Sequence, residues 1–245
     1  MRAGPMLPPN AWLRWDAVSH RLPPEGASIL EIGCGQGGFA ARLAARYRYV
    51  GLEPDAASYE VARARLGGAG EVRNGDLSLV APDELFDLVC AFEVIEHLAD
   101  DRGAIAAWLR HVRPGGWLLV SAPAWPERFA AWDELVGHHR RYEPAALSRL
   151  LAELGLEDVE AAAYGAPLGF VLEGIRNRIA RRRLPRAREL SFDERTSGSG
   201  RLLAPRAGMV ATATRLATLP FVKLQHLFPG RGVGLVARGR RPLAA

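Results

Sequence analysis

An α/β chain with a doubly wound, mostly parallel sheet is what this sequence predicts, on three observations. Strand-like and helix-like segments alternate through the first 164 residues. The first apolar run enters a glycine-rich turn directly, ILEIGCGQGG at 29–38. A continuous apolar run, FDLVCAF at 86–92, reads as a central parallel strand covered on both faces. In such a sheet the ligand crevice lies at the carboxyl ends of the strands.

Taken in order, residues 1–25 hold the Trp-rich piece AWLRW (11–15) and form an N-terminal helical cap. SILEIG (28–33) is the first strand, FAARLAARY (39–47) a helix, YVGLEP (49–54) the second strand and ASYEVARARL (57–66) a helix. EVRNGDL (71–77) is a third, weaker strand, and FDLVCAF (86–92) the fourth. IEHLADDRGAIAAWLRHV (95–112) has amphipathic spacing and is stopped by Pro114-Gly115-Gly116, before the strand WLLVSAP (117–123). EPAALSRLLAELG (143–155) ends on a glycine C-cap signal, and LEDVEAAAY (156–164) follows as a strand. Residues 26–164 therefore form the core domain.

Residues 165–228 break the rhythm and are read as a basic helical insertion, placed to cover the ligand crevice. LGFVLEGIRNRIARRR (168–183) is a basic amphipathic helix with Phe170, Leu172, Ile175 and Ile179 as its apolar positions. A polar stretch, SFDERTSGSGR (191–201), leads to a second apolar helical segment at 209–228. Residues 229–245 hold a closing strand, GVGLVARGRR (232–241), and a tail.

With 49% hydrophobic residues the chain can build a substantial core, yet no run approaches the ~20 apolar residues of a membrane span. The N-terminus lacks the apolar region of a signal peptide. Cys34 and Cys90 are the two cysteines and have no metal-type spacing, so a reduced, cytoplasmic chain is expected. Charge is uneven. Residues 1–164 carry 16 Arg against 23 acidic residues, and residues 165–245 carry 15 Arg and one Lys against 4. The basic part is either a solvated helix face or a contact for an anionic partner.

The pattern Gly33-x-Gly35-x-x-Gly38 alone fits a dinucleotide site, but the surrounding acids separate two ligands. Glu31, two residues before Gly33, would repel a pyrophosphate and attract an ammonium or sulfonium. Glu53, ending the second strand, can accept from ribose hydroxyls. Asp76 can accept from an adenine amino group. Single explanations as a helix N-terminus contact or a turn residue exist for Glu31 and Asp76.

LEIGCGQG, GLEP, NGDL, FDLVCAFEVIEHL and RPGGWLLVSAP together resemble the motifs of class I S-adenosylmethionine-dependent methyltransferases, over roughly residues 26–125. EVIEHL and GHHRRYEPAALSRLLAELGL resemble the ubiquinone-biosynthesis-like small-molecule branch of that class. The resemblance implies a Rossmann-like, seven-stranded sheet with an antiparallel last strand, here preceded by an unusually long helical insertion. It implies S-adenosylmethionine as cofactor. Its contacts would be Glu31, Gly33, Cys34, Gly35 and Gly37 in the first turn, and Glu53 and Pro54 after the second strand. Asp76 and Leu77, then Phe92 and Glu93, complete that set.

Methyl transfer from a sulfonium needs in-line approach and a competent nucleophile; an alcohol acceptor also needs a base or a metal. Three readings of the polar residues compete. His138 or His139 is a general base. Alternatively Glu93, Glu96, His97 and His138 hold a divalent cation, a constellation resembling some metal-dependent quinone and small-RNA 3′-end methyltransferases, although a metal is not expected. In the third, all are structural. Arg140 and Arg141 bind an anionic acceptor group or pair with the acidic turn Asp100-Asp101. Cys34 and Cys90 read as packing residues. Trp125 and Trp132 are pocket candidates, whereas Trp12 and Trp15 equally seal the N-terminal helix against the sheet.

The leading expectation is O-methylation of a small-molecule or lipid-like acceptor. Peripheral membrane contact through 168–183 would suit a lipid-like one. An RNA methyltransferase using a metal-bound hydroxyl is the alternative enzyme. Nucleic acid is not the expected partner, because the basic stretch lacks interleaved aromatics for stacking. A non-catalytic scaffold of the same fold is the reading from another class. Fold does not specify the acceptor.

Overall fold

The chain opens with α1 (Pro9–Ser19) and then alternates: β1 (Ser28–Ile32), α2 (Ala40–Leu43), β2 (Arg48–Glu53), α3 (Ala56–Leu66), β3 (Glu71–Asn74) and β4 (Phe86–Phe92). It continues through α4 (Asp101–Leu109), β5 (Val112–Pro123), α5 (Ala131–Val136), α6 (Pro144–Glu153) and β6 (Glu157–Gly165). Two longer helices, α7 (Leu168–Ala187) and α8 (Met209–Leu224), precede β7 (Gly232–Arg240). This is a computed structural model, and it describes residues 7–187 and 209–243. The polar stretch 191–201 lies outside the described residues.

The sheet order is β3-β2-β1-β4-β5-β7-β6. β1 pairs in parallel with both β2 and β4, so strand order reverses at β1 and opens the ligand crevice there. β7 runs antiparallel between β5 and β6, as the resemblance implies for the last strand. Alternation along the strands divides the core in two. Leu30, Val89, Ala91, Leu118 and Val120 face one side with Ile105 and Trp108 of α4 and Leu147 and Leu151 of α6. Ile29, Leu88, Cys90 and Leu119 face the other, under Val18 of α1, Leu43 of α2 and Ala62 of α3. Both cysteines are buried and free, in keeping with packing. No helix among the described residues is long and apolar enough to cross a membrane.

Local chemistry sets the boundaries. α3 starts at Asp55, whose carboxylate accepts from Ser58 N at 2.9 Å, and stops at Gly67 in the left-handed region. α4 starts later than the sequence periodicity suggests. Residues 95–97 form a 3₁₀ turn, and Asp100 caps the helix by accepting from Gly103 N at 2.8 Å. α2 is shorter than 39–47, because the chain after Leu43 turns at once into β2 while Tyr47 Oη donates to Pro23 O at 3.0 Å.

Only part of the apolar stripe assigned to α7 is covered: Leu172 and Ile179 are half-buried. Phe170 and Ile175 are exposed, whereas Glu173 and Ala180 are buried. Glu173, Asn177 and Ala180, at i, i+4 and i+7, turn toward α5: Asn177 Oδ1 accepts from Trp132 N at 3.0 Å, and Ala180 packs with Leu135. The helix is thus docked in part by polar residues, which hydrophobic periodicity does not register.

Candidate active site

The carboxyl ends of β1, β2 and β4 open into a cavity of about 1010 Å³, roofed by α1 and α7. Gly35 has φ +56°, and a Cβ there would point into open space, so its missing side chain leaves the cavity wall as bare backbone. Gly37 has φ +75°, and a Cβ would come within 3.0 Å of Ala62 Cα, fixing the loop against α3. Glu53 accepts from Gly35 N at 2.7 Å and from Asp55 N at 3.0 Å, which ties the ends of β1 and β2 together. Gly33, Cys34 and Pro54 also line this end, as do Phe92 and Glu93.

Glu31 is 3% exposed and accepts from Tyr49 Oη at 2.6 Å. Burial pushes its pKa up to about 7, reinforced by Glu53 and opposed by the Tyr49 hydroxyl. Its charge near neutrality therefore awaits a cation. Binding of a cationic ligand is expected to weaken by up to about tenfold on going from about pH 8 to about pH 6, as Glu31 takes up a proton. Calorimetric titration with S-adenosylmethionine at the two pH values checks this. A Glu31→Gln variant should bind weakly with no such dependence.

Opposite the glycine turn, β4 is followed directly by Glu93 in the left-handed region (φ +57°). That sharp bend is held by Glu93 N donating to Ser121 O at 2.9 Å and by an ion pair to Arg14 at 2.7 Å. It swings the 3₁₀ turn so that Glu96 points inward. Glu96 is fully buried, and neither carboxylate oxygen has a hydrogen-bond partner. Burial, reinforced by Glu93, pushes its pKa well up.

Two imidazoles face this carboxyl. His97 Nδ1 lies 3.0 Å from Gly137 O and His138 Nδ1 lies 2.8 Å from Asp133 Oδ1, so each ring donates from Nδ1 and leaves Nε2 as an acceptor. Burial, then His138, lowers the His97 pKa to about 3, keeping it neutral. Donor atoms of Glu96, His97 and His138 all lie within 4.8 Å of one another. Glu93, the fourth residue of the metal constellation, is instead occupied by Arg14. Behind the cluster, Asp133 also accepts from Arg141 Nε at 2.9 Å and Arg141 Nη2 at 2.7 Å. Burial alone would raise the Asp133 pKa, but His138 and Arg141 hold it down to about 2.

The structure brings together Glu31, Gly33, Cys34, Gly35, Glu53, Pro54, Phe92, Glu93, His97 and His138 along the cavity. Gly37 supports the loop without lining it. Asp76 and Leu77 stand outside the lining at the end of β3, where exposed Asp76 caps a 3₁₀ turn by accepting from Ser78 N at 2.9 Å. His139 is exposed outside the cavity, and its backbone N donates to Glu96 O. Trp132 lines the cavity; Trp125 packs on the core and donates to Gly232 O at 2.8 Å. Arg140 does pair with the acidic turn, 3.2 Å from Asp101, but Arg141 turns inward to Asp133 and Glu173. Sequence reasoning missed Arg14, Asp133, Glu173 and Arg176 as cavity residues. Only Asp133, five residues before His138, carried a legible signal, as the carboxylate that orients an imidazole.

A family model described as a methyltransferase domain matches residues 11–161. A probable S-adenosylmethionine-dependent methyltransferase of Mycolicibacterium smegmatis is 35% identical over 171 residues, spanning 65% of this chain and 65% of that protein. A ubiquinone biosynthesis O-methyltransferase of Xanthomonas oryzae pv. oryzae is 34% identical over 190 residues, 66% of this chain and 77% of its own. Among solved structures, Haemonchus contortus phosphoethanolamine N-methyltransferase 2, in complex with phosphomonomethylethanolamine and S-adenosylhomocysteine, superimposes with a TM-score of 0.59 at 18% identity. That match covers 92% of this chain and 52% of the other, and it speaks to the fold alone.

Proposed function

This chain belongs to the class I S-adenosylmethionine-dependent methyltransferases, and from that premise we propose that it methylates a hydroxyl oxygen of a small-molecule acceptor. The observation carrying the oxygen assignment is the buried carboxyl of Glu96, without hydrogen-bond partners, facing two imidazole acceptors. A neutral amine would need no such group, whereas a hydroxyl must lose its proton as the methyl group arrives. The ubiquinone O-methyltransferase name of a relative supports the same class of acceptor.

Glu31 and Glu53 hold the cofactor through its cationic and ribose ends, and His97 and His138, which line the cavity in front of the buried Glu96, receive the hydroxyl. The orphaned oxygens of Glu96 fit a divalent cation, which Glu96, His97 and His138 would hold and which would lower the hydroxyl pKa. Gly137 O and Asp133 fix the two rings from behind, as outer partners of ligating histidines do. A second reading is favoured by the same Asp133 contact: it holds the His138 tautomer whose Nε2 takes the acceptor proton directly. Exposed Val171 and Ile175 beside Arg181, Arg182 and Arg183 on α7 support a lipid-like acceptor met at a membrane surface.

The test is methyl transfer from S-adenosylmethionine to catechol, with and without chelation. An O-methylated product is expected, with turnover falling at least about tenfold in chelator and returning with Mg²⁺ or Mn²⁺. Turnover indifferent to chelator selects His138 as base. Failure to methylate catechol or simple phenols, with an intact response to S-adenosylhomocysteine, would remove the hydroxyl assignment.

A further inference from the structure

We propose that the acceptor carries a carboxylate and that Arg176, on α7, is the residue that receives it. The inference rests on the reading of this cavity as an acceptor pocket and adds to it the charge of the molecule.

Arg176 lines the cavity, and its Nε is buried without a hydrogen-bond partner. It has no ion-pair partner among the described residues. The neighbouring charges are satisfied among themselves. Arg14 is taken by Glu93, and Arg141 by Asp133 and by Glu173 Oε1 at 2.6 Å. Glu173 is shared with Arg128. Arg176 feels Glu93 and Glu173 but shares them with these other arginines. Four guanidiniums (Arg14, Arg128, Arg141 and Arg176) thus meet three carboxylates (Glu93, Asp133 and Glu173), and one positive charge is left over at the cavity. A charge withdrawn from water and left unpaired is destabilising, and a neutral side chain of similar length would fill the same place without that cost. An anion that arrives with the ligand would balance that charge.

The surroundings specify which anion. The guanidinium lies over the Trp132 ring, 5.5 Å from the centroid, and the Trp132 backbone is anchored to α7 through Asn177. The indole covers one side of the guanidinium, and the N–H groups suit a planar, two-oxygen partner. A single guanidinium balances one negative charge, which suits a carboxylate monoanion better than a phosphate dianion. The indole beside it offers apolar surface for a ring or chain joined to that carboxylate.

The experiment measures calorimetric affinity of the S-adenosylhomocysteine-loaded protein for 3-hydroxybenzoate, 3-hydroxybenzamide and 3-hydroxyphenyl phosphate. Wild type, Arg176→Met and Arg176→Lys are compared. The acid is expected to bind at least about tenfold more tightly than the amide, Arg176→Met to abolish that preference, and Arg176→Lys to keep part of it. Affinity for S-adenosylhomocysteine should be the same in all three. Equal affinity of wild type for acid and amide, or binding of none of the three compounds, overturns the proposal. So does tighter binding of the phosphate. Loss of S-adenosylhomocysteine affinity in Arg176→Met, with the acid preference intact, would place the guanidinium on the cofactor instead. Methyl transfer is read in parallel. Transfer without discrimination removes the carboxylate and leaves O-methylation standing; discrimination without transfer does the reverse.

Discussion

Replacing His138 by alanine is expected to lower methyl-transfer turnover by about 10²–10⁴-fold, with S-adenosylhomocysteine affinity unchanged within about twofold. His138 is the point at which both chemical readings of the cluster meet. Its Nδ1 is engaged by Asp133 at 2.8 Å, and its Nε2 lies 3.8 Å from the buried Glu96 carboxyl. The glycine turn and Glu53, assigned above to the cofactor, belong to other strands and make no contact with it. Single-turnover kinetics with calorimetry on the same variant separates the two effects. A companion Glu96→Gln variant divides the readings: a comparable loss supports a bound cation, and near-normal turnover supports His138 acting as base. If His138→Ala retained turnover within a few-fold, the cluster would be structural.

Asp133→Ala is expected to destabilise the fold by about 3–5 kcal/mol, measured as a shift of the denaturant midpoint at constant m-value. Asp133 is fully buried and takes two bonds from Arg141, one from His138 and one from Ala130 N at 2.9 Å. Removing it strands a buried guanidinium that retains Glu173 as its remaining carboxylate partner. The same pairing predicts an acid limb. A carboxyl whose folded pKa of about 2 lies below its unfolded value stabilises fully above about pH 4. That contribution is lost as pH falls toward 2, and Asp133→Asn should flatten this part of the stability curve. A loss below about 1 kcal/mol for the alanine variant would mean that Glu173 and solvent suffice for Arg141.

The sheet and the glycine-turn end of the cavity were legible because they are written locally. Strand alternation gives the faces, and the glycine turn with Glu31 and Glu53 follows from three contiguous elements. The third strand's acid was less well served: Asp76 has the right place in the chain, but its carboxylate is satisfied by its own turn. The histidine end of the cavity was legible only in part, because its partners come together from distant segments. Arg14 reaches Glu93 across 79 positions, and Arg141 reaches Glu173 across 32. Charge patterning could see two arginines near an acidic turn, but the turn of the chain between Arg140 and Arg141 sends them to opposite sides. In α7 the apolar stripe is only half covered, and Glu173 and Asn177 make polar contacts to Arg141 and Trp132 that periodicity does not register.

Arg141 clasps α5 with one edge and α7 with the other. The long segment before β7 is therefore not an accessory that can be exchanged freely. A chimera importing a different segment to accept a different molecule would also withdraw Glu173, loosening the Arg141–Asp133 support beneath His138. Exchange of this segment and support of the His138 ring are thus coupled in this architecture, unless the donor segment brings an acid at the position of Glu173.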